Sequence, residues 1–434
     1  MKNNFPKVLV FGQHFNSTSG GGITLTNLFK GWPKNRIASV VSNYKHVVEN
    51  EVCDNIFGLE RWRFPICFLT KSKDKKPGKI EFNQTKFQYI NNIREPQAGK
   101  LSNFLSFITM RLGILPFIHN NRLTEDFIKW VFEFNPDIIY TQLADVNVAK
   151  MVYNLSSILK KPIAIHIMDD WPKTLYREGL FSFYNRWLMK KYFLKLMDKS
   201  TVLMGISTAM CIEYKKRYAK DFIPFHNPIE LSKWSLHQKN NWSELSDIKI
   251  LYLGRVGIAN SSGISDLVEV LSELKEEGKN ISLRIYSPDY CEKLKNRIEI
   301  NINIKISPAI PNSEVPAVLK SSDILFLPLD FDEESINFAR YSMPTKASEY
   351  MISGTPTLIY APSGIALTDH AKENKWAYIV CEREKQKLKK AIIDLSINEV
   401  LRKKIGESAV LFAKENFDSL KVRDHFRQSL LIAS

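Results

Sequence analysis

Short apolar runs and helix-period segments alternate along this chain, and the alternation starts twice. In the first series, residues 7–12, 39–42, 137–141 and 162–167 read as strands. Residues 23–29, 121–134 and 146–159 between them read as helices. Residues 235–247 are polar and rich in Asn, Ser and Lys, which predicts a linker. The pattern then restarts. Strands are expected at 248–253, 281–286, 304–306, 322–329, 357–360 and 376–380, and helices at 263–276, from 310 (capped by Asn312 or Ser313), from 362, and at 388–412. Residues 330–341 read as a loop and residues 416–434 as a final amphipathic segment. Strands alternating with helices form βαβ units, and these build parallel sheets with ligands at the carboxyl ends of the strands.

The densest pattern lies late in the chain. Residues 342–360 read SMPTKASEYMISGTPTLIY: a loop, a helix, a turn and a strand. Pro344 suits a first helical turn, where its missing N–H has no partner to lose. Gly354 is a stop signal, and Pro356 prevents continuation. Lys346 and Glu349, three apart, project from one face. A helix start with open N–H groups attracts anions, a lysine there adds a point charge for phosphate, and a carboxylate one turn on accepts from sugar hydroxyls. This trio suits a nucleotide diphosphate; the structural alternative is a surface ion pair between Lys346 and Glu349.

The run Pro-Thr-Lys, Glu-Tyr-Met, Gly-Thr-Pro between two strands resembles the donor-binding segment of retaining GT-B glycosyltransferases of group 1, the family 4-like enzymes. Their usual signature is two glutamates separated by seven residues; Glu349 matches the second, and Tyr341 stands in the place of the first. The resemblance implies that Ser342, Pro344, Thr345, Lys346 and Glu349 bind the donor, with Lys346 on the diphosphate and Glu349 on the ribose. The strand ending in Gly254-Arg255 resembles the first strand of the donor domain, and implies that Arg255 meets the diphosphate as a fork of donors. Relatives often follow with Lys-Gly; here Ser262-Gly263 fills that place, and Lys346 is expected to supply the missing charge.

In the first half, Ser17 to Gly22 reads as a glycine-rich loop between a strand and a helix, with Gly20, Gly21 and Gly22 as its triplet. It lacks the dinucleotide and Walker spacings, so a tight turn is the alternative to a loop at the donor phosphates. Residues 166–172, HIMDDWP, leave a strand's carboxyl end. Relatives carry His-Asp-x-Trp-Pro here: Asp169 matches the aspartate, Met168 takes the histidine's place, and His166 lies two residues earlier on the same strand face. Asp169 and Asp170 are the candidates for acceptor contact or proton handling, with helix capping as the alternative for Asp170.

Composition adds limits. The 434 residues allow two or three domains. No apolar run is long enough to span a bilayer, no signal-peptide pattern is expected at the start, and Cys53, Cys67, Cys211, Cys291 and Cys381 are scattered without metal or disulfide spacing. The expectation is a cytoplasmic enzyme that needs neither cofactor nor obligate metal. The net charge is +15, and residues 61–100 hold ten basic residues against three acids. Such a charge suits an anionic partner, with plain solubility as the alternative. The apolar stretch 100–119 beside it reads as a buried helix or, as the alternative, a membrane-contacting one, which would dock the enzyme on the inner face of a plasma membrane. The fold expected from the resemblance is GT-B, two doubly wound Rossmann-like domains facing across a cleft. Its expected bounds are 1–234 on the acceptor side, a linker at 235–247, a donor domain at 248–415 and a returning C-terminal helix at 416–434. The expected activity is transfer of a sugar from a nucleotide diphosphate to a glycan or lipid-linked acceptor in surface polysaccharide assembly, with no nucleic acid involved. The alternatives are a nucleotide-sugar epimerase on the same fold, or a non-catalytic binder of anionic membrane or nucleic acid.

Overall fold

A computed structural model describes residues 4–17, 19–41, 51–63, 78–80, 119–143, 145–243, 247–257, 259–299 and 303–434. Most of the basic segment 61–100 and nearly all of the apolar stretch 100–119 lie outside the described residues.

Two separate sheets carry the fold. The first contains β1 (Val8–Phe11), β2 (Ile37–Val41) and β3 (Ile56–Gly58). A two-stranded ribbon pairs β4 (Glu60–Arg63) with β6 (His119–Arg122), and β5 (Gly78–Ile80) edges the first sheet. The first sheet continues with β7 (Ile138–Thr141), β8 (Ile163–Ile167), β9 (Ser200–Gly205) and β10 (Ile223–Pro224), in the order 10-9-8-7-1-2-3-5. Its pairs from β3 to β9 are parallel, and β5 joins β3 antiparallel. The second sheet contains β11 (Ile248–Leu253), β12 (Ile281–Ser287), β13 (Ile304–Pro308), β14 (Ile324–Pro328), β15 (Thr357–Tyr360) and β16 (Ala377–Val380), in the order 13-12-11-14-15-16, all parallel. The order reverses between β1 and β7 in one sheet and between β11 and β14 in the other. These switch points are where a doubly wound sheet leaves a crevice for a ligand.

Period-two patterning explains why helices cover both faces of the second sheet. Ile250 and Tyr252 of β11 enter one apolar cluster with Leu283, Ile304 and Phe326. Leu251 between them enters the opposite cluster, with Leu325, Ile359 and Tyr350.

The chain divides into two compact units. One holds residues 1–205, 214–223 and 425–434; the other holds 206–213 and 224–424. This division departs from the expected domain bounds. Residues 224–243 pack within the second unit: Lys239 pairs with Asp323 at 3.1 Å, and Trp242 donates to the Gly354 carbonyl at 3.1 Å. The buried Arg402 donates to the Trp242 and Ser243 carbonyls. The polar segment 235–243 is therefore a strap fastened to one unit.

Several local expectations are corrected. The glycine triplet is the first turn of a helix, Gly20–Phe29, because Ser19 caps it by accepting from the Gly22 N–H. The segment 388–412 is two helices, Lys385–Ile397 and Glu399–Asn416, because the Asn398 side chain accepts from the Leu401 N–H and opens the second. Residues 330–341 contain a helix, Glu333–Ala339, capped by Asp332. The helix expected from Ile310 is Val315–Lys320; neither Asn312 nor Ser313 caps it. Residues 119–122 are strand, and the helix Glu125–Phe134 starts at its cap Thr124.

Candidate functional site

The carboxyl end of β11 and the start of the helix Lys346–Ser353 meet in the second unit. Gly354 ends that helix at φ +70. At its other end no side chain caps the first turn; only the Ala347 N–H turns back, onto the Pro344 carbonyl at 2.9 Å. Tyr350 is buried and its hydroxyl accepts from the Leu253 N–H at 3.0 Å, which ties the helix to the strand end.

Lys346 runs from this first turn across β11, with its ammonium 4.2 Å from the centre of the Tyr252 ring. It passes directly over Gly254. A Cβ at that position would fall on the lysine ammonium, and the backbone there has φ +139, which L side chains rarely adopt. The Gly-Arg turn is thus shaped to let a cation approach the backbone. Desolvation pulls the Lys346 ammonium down to about 7, against the opposing pull of Glu349. Glu349, half-buried one turn on, is pushed up to about 7 by desolvation, against the pull of Lys346. Among the described residues neither side chain enters an ion pair. The surface pair that would account for this spacing blandly is absent, and both groups keep capacity for a ligand.

The turn after β11 is fixed by its own side chains. Tyr252 donates to the Arg255 carbonyl at 2.6 Å, and Asn260 Nδ2 donates to that carbonyl and to the Tyr252 oxygen, each at 3.0 Å. The Gly257 N–H donates to Asn260 Oδ1 at 3.0 Å. Burial pushes the Tyr252 phenol far above its usual range, so it stays a donor. Arg255 is exposed and held by Asp289 at 2.8 Å. An exposed pair of this kind is worth about 0–1 kcal/mol, little enough for a diphosphate to displace.

Asp330, after β14, is a residue that sequence reasoning missed. Its buried carboxylate accepts from the Gly263 N–H at 2.8 Å and the Ser262 N–H at 3.2 Å, capping the helix Ser261–Glu276. The protein itself therefore occupies the amides at the Ser262-Gly263 place. Ser207 is another such residue: it donates to the Tyr341 carbonyl at 2.5 Å and accepts from the Met210 N–H. It holds Tyr341, where relatives carry a glutamate, by its backbone. Ser342, Pro344 and Thr345 form the half-buried approach to the helix.

The expected site residues of the first unit have different partners. Gly21 lacks a side chain where Gln13 and Gln142 close in, and a Cβ on Gly22 would collide with Asn16. Gln142 donates to the Gly21 carbonyl at 3.3 Å. The triplet thus lets neighbouring side chains fold over a helix start at the switch point of that sheet. Asp170 is buried, takes both guanidinium nitrogens of Arg217 at 2.8 and 2.9 Å, and accepts from Tyr214 at 2.9 Å. Its side chain caps no helix. Asp169 is half-buried beside it. His166 is fully buried with Nδ1 2.7 Å from the Tyr140 hydroxyl. It lies in the core.

Comparison with known proteins adds to this geometry. Residues 232–411 match the family model of glycosyl transferases group 1. Over these residues the chain resembles a group 1 glycosyl transferase domain. The solved structures of similar fold include the sucrose-phosphate synthase of Thermosynechococcus elongatus, with TM-score 0.63 at 12% identity, covering 99% of this chain and 100% of that one. HepE of Anabaena, solved in complex with UDP and glucose, has TM-score 0.60 at 13% identity over 98% and 99%. TarM of S. aureus aligns with 70% of this chain at TM-score 0.52 and 14% identity, and this chain spans 57% of TarM's length. No curated protein matches the sequence. The fold is GT-B: two parallel-dominated α/β sheets with interleaved helices. Among the described residues no helix is long and apolar enough to cross a membrane.

Proposed function

We propose that this glycosyltransferase moves a sugar from a nucleotide-diphosphate donor to a glycan or lipid-linked acceptor, with retention, in the assembly of a surface polysaccharide on the cytoplasmic side of a membrane. The observation that carries the reading is the Lys346 ammonium laid over Gly254, desolvated and, among the described residues, outside any ion pair, in the segment that matches glycosyl transferases group 1. As the bond to the sugar breaks, negative charge grows on the departing diphosphate. Lys346 and Arg255 then stabilise that charge more than they stabilise the bound ground state, which lowers the barrier. The open first turn of the helix Lys346–Ser353 adds backbone N–H donors to the same anion. Glu349, as carboxylate, accepts from the ribose hydroxyls. With two cations for the diphosphate, the reading requires no metal. HepE has been solved with UDP-glucose, which supports a donor of this class.

Asp169 is the candidate for acceptor contact. Asp170 is assigned a structural role, because Arg217 and Tyr214 already take up its carboxylate. Gly20, Gly21 and Gly22 are assigned to packing of the helix start.

Thermal-shift screening against UDP, GDP, ADP and CMP sugars selects the donor, and labelled donor then reads turnover. Lys346→Ala and Glu349→Ala are each expected to lose about 2 kcal/mol or more of transition-state stabilisation, roughly thirtyfold, with unchanged folding. Turnover within a few-fold of the parent for both would reject the reading.

A further inference from the structure

The helix Ser182–Lys199 in the first unit is apolar on two sides. One face holds Asn185, Met189, Phe193, Leu196 and Met197, all buried. The other is open to solvent. Phe183 is 64% exposed and Trp187 52%, and just before the helix Leu180 is 67% exposed. At 100° per residue Phe183, Leu194, Trp187, Lys191 and Tyr184 fall within one stripe about 100° wide, roughly opposite the buried arc. Tyr184 stacks on Trp187 with ring centres 5.7 Å apart, and the Lys191 ammonium lies 4.8 Å over the Trp187 ring. A contiguous aromatic patch of this kind marks an interaction site, whereas scattered exposed apolar residues do not.

The surroundings of the patch identify its partner. Residues 171–199 hold seven basic residues against two acids, Glu178 and Asp198. Asp198 is already paired with Lys220 at 3.2 Å. Lys190 and Lys195 flank the stripe on its two sides and Lys191 lies within it, all exposed; among the described residues none of the three is drawn into an ion pair, and Lys195 lies 5.2 Å over the Tyr153 ring. Aliphatic and aromatic side chains at the crest, with ammonium groups on both flanks, match the layering of an anionic bilayer: acyl chains below, phosphates above. Tryptophan and tyrosine suit the boundary between them. A second copy of this chain would bring one basic face against another, which opposes self-association.

We propose that the exposed face of the helix Ser182–Lys199 docks the protein on an anionic lipid surface, with Phe183, Trp187 and Leu194 entering the headgroup boundary and the flanking lysines on lipid phosphates. This inference does not rest on the sugar-transfer reading.

Flotation of the full-length protein with vesicles of phosphatidylcholine alone, or with phosphatidylglycerol added, tests it. The parent is expected to float with the anionic vesicles only, and to be released as salt rises. A triple variant Lys190→Glu, Lys191→Glu, Lys195→Glu should bind on the order of a hundredfold more weakly, since each lysine near such a surface contributes about one factor of five to ten. A second variant, Phe183→Ser, Trp187→Ser, Leu194→Ser, should lose binding as well. All three side chains are exposed, so melting temperature and nucleotide binding should match the parent and report intact folding. No flotation with either vesicle, equal flotation with both, or flotation unchanged in both variants overturns the proposal. So does sedimentation showing a dimer in place of lipid binding, or capture of a single-stranded oligonucleotide in place of vesicles.

Discussion

Among single residues, the housing of one lysine decides how a donor would be held. The Lys346 ammonium lies over Gly254, where a Cβ would displace it and where φ is +139, and the same desolvation that brings it to about 7 leaves it responsive to an arriving anion. A diphosphate favours the charged ammonium, so binding should raise the lysine's pKa and take up a proton. Titration calorimetry at pH 7.5 to 8 in buffers of different ionisation enthalpy is expected to show uptake approaching one proton, and to show none in Lys346→Ala. Because the free lysine loses its proton above about 7, affinity for the diphosphate should fall as pH rises through 8 and 9. Gly254→Ala should weaken nucleotide binding as much as loss of the lysine does, and should destabilise the fold by about 1–3 kcal/mol through its backbone strain. Asp170 separates the structural from the catalytic reading of the first unit. Asp170→Asn weakens the paired hydrogen bonds to the half-buried Arg217, so the expected result is a loss of about 1–3 kcal/mol in stability, read by denaturant melting. The residues 342–360 were legible as a donor segment because proline, lysine, glutamate and glycine each have a positional meaning in a helix start and stop. Asp170 was not legible, because its partners lie 44 and 47 residues away.

At the scale of elements, strand runs were the clearest signal and helix ends the weakest. In the second sheet β14 and β15 are apolar runs buried on both faces, whereas β11 and β12 are interrupted by the exposed Lys249 and Arg284. The break at Asn398 was hidden, because the apolar period continues across it while its backbone N–H closes one helix on the Asp394 carbonyl and its side chain opens the next. Asn398→Ala is expected to cost about 1 kcal/mol, with fraying of the first turn after it visible as faster amide exchange at Leu401. Asp330 was hidden for the opposite reason: it lies 67 residues from the amide it caps most closely, in a segment that reads as loop. Asp330→Ala leaves the Ser262 and Gly263 amides without their acceptor beneath the Gly-Arg turn, and a loss of about 1–2 kcal/mol is expected in thermal melts.

For the whole molecule, stability is tied to acid through two histidines of the second unit. Burial lowers His226 to about 3, with the charge of His370 adding to the effect. Burial lowers His370 to about 4, and its Nδ1 accepts from Trp376 Nε1 at 2.9 Å, which requires the neutral ring. As pH falls below 6.5 the unfolded chain takes up these protons first, so each histidine removes on the order of 1.4 kcal/mol per pH unit until its folded value is reached. Melting temperature should therefore fall steeply between pH 6.5 and 4, and His226→Leu should flatten that limb; an unchanged slope would sink the assignment. The central claim is a diphosphate held by Lys346. It is tested most directly by comparing the affinities of the selected nucleoside diphosphate and its monophosphate for the parent and for Lys346→Ala. A preference for the diphosphate of about tenfold or more in the parent, collapsing to near unity in the variant, is the expected result; an equal preference in both proteins would contradict it.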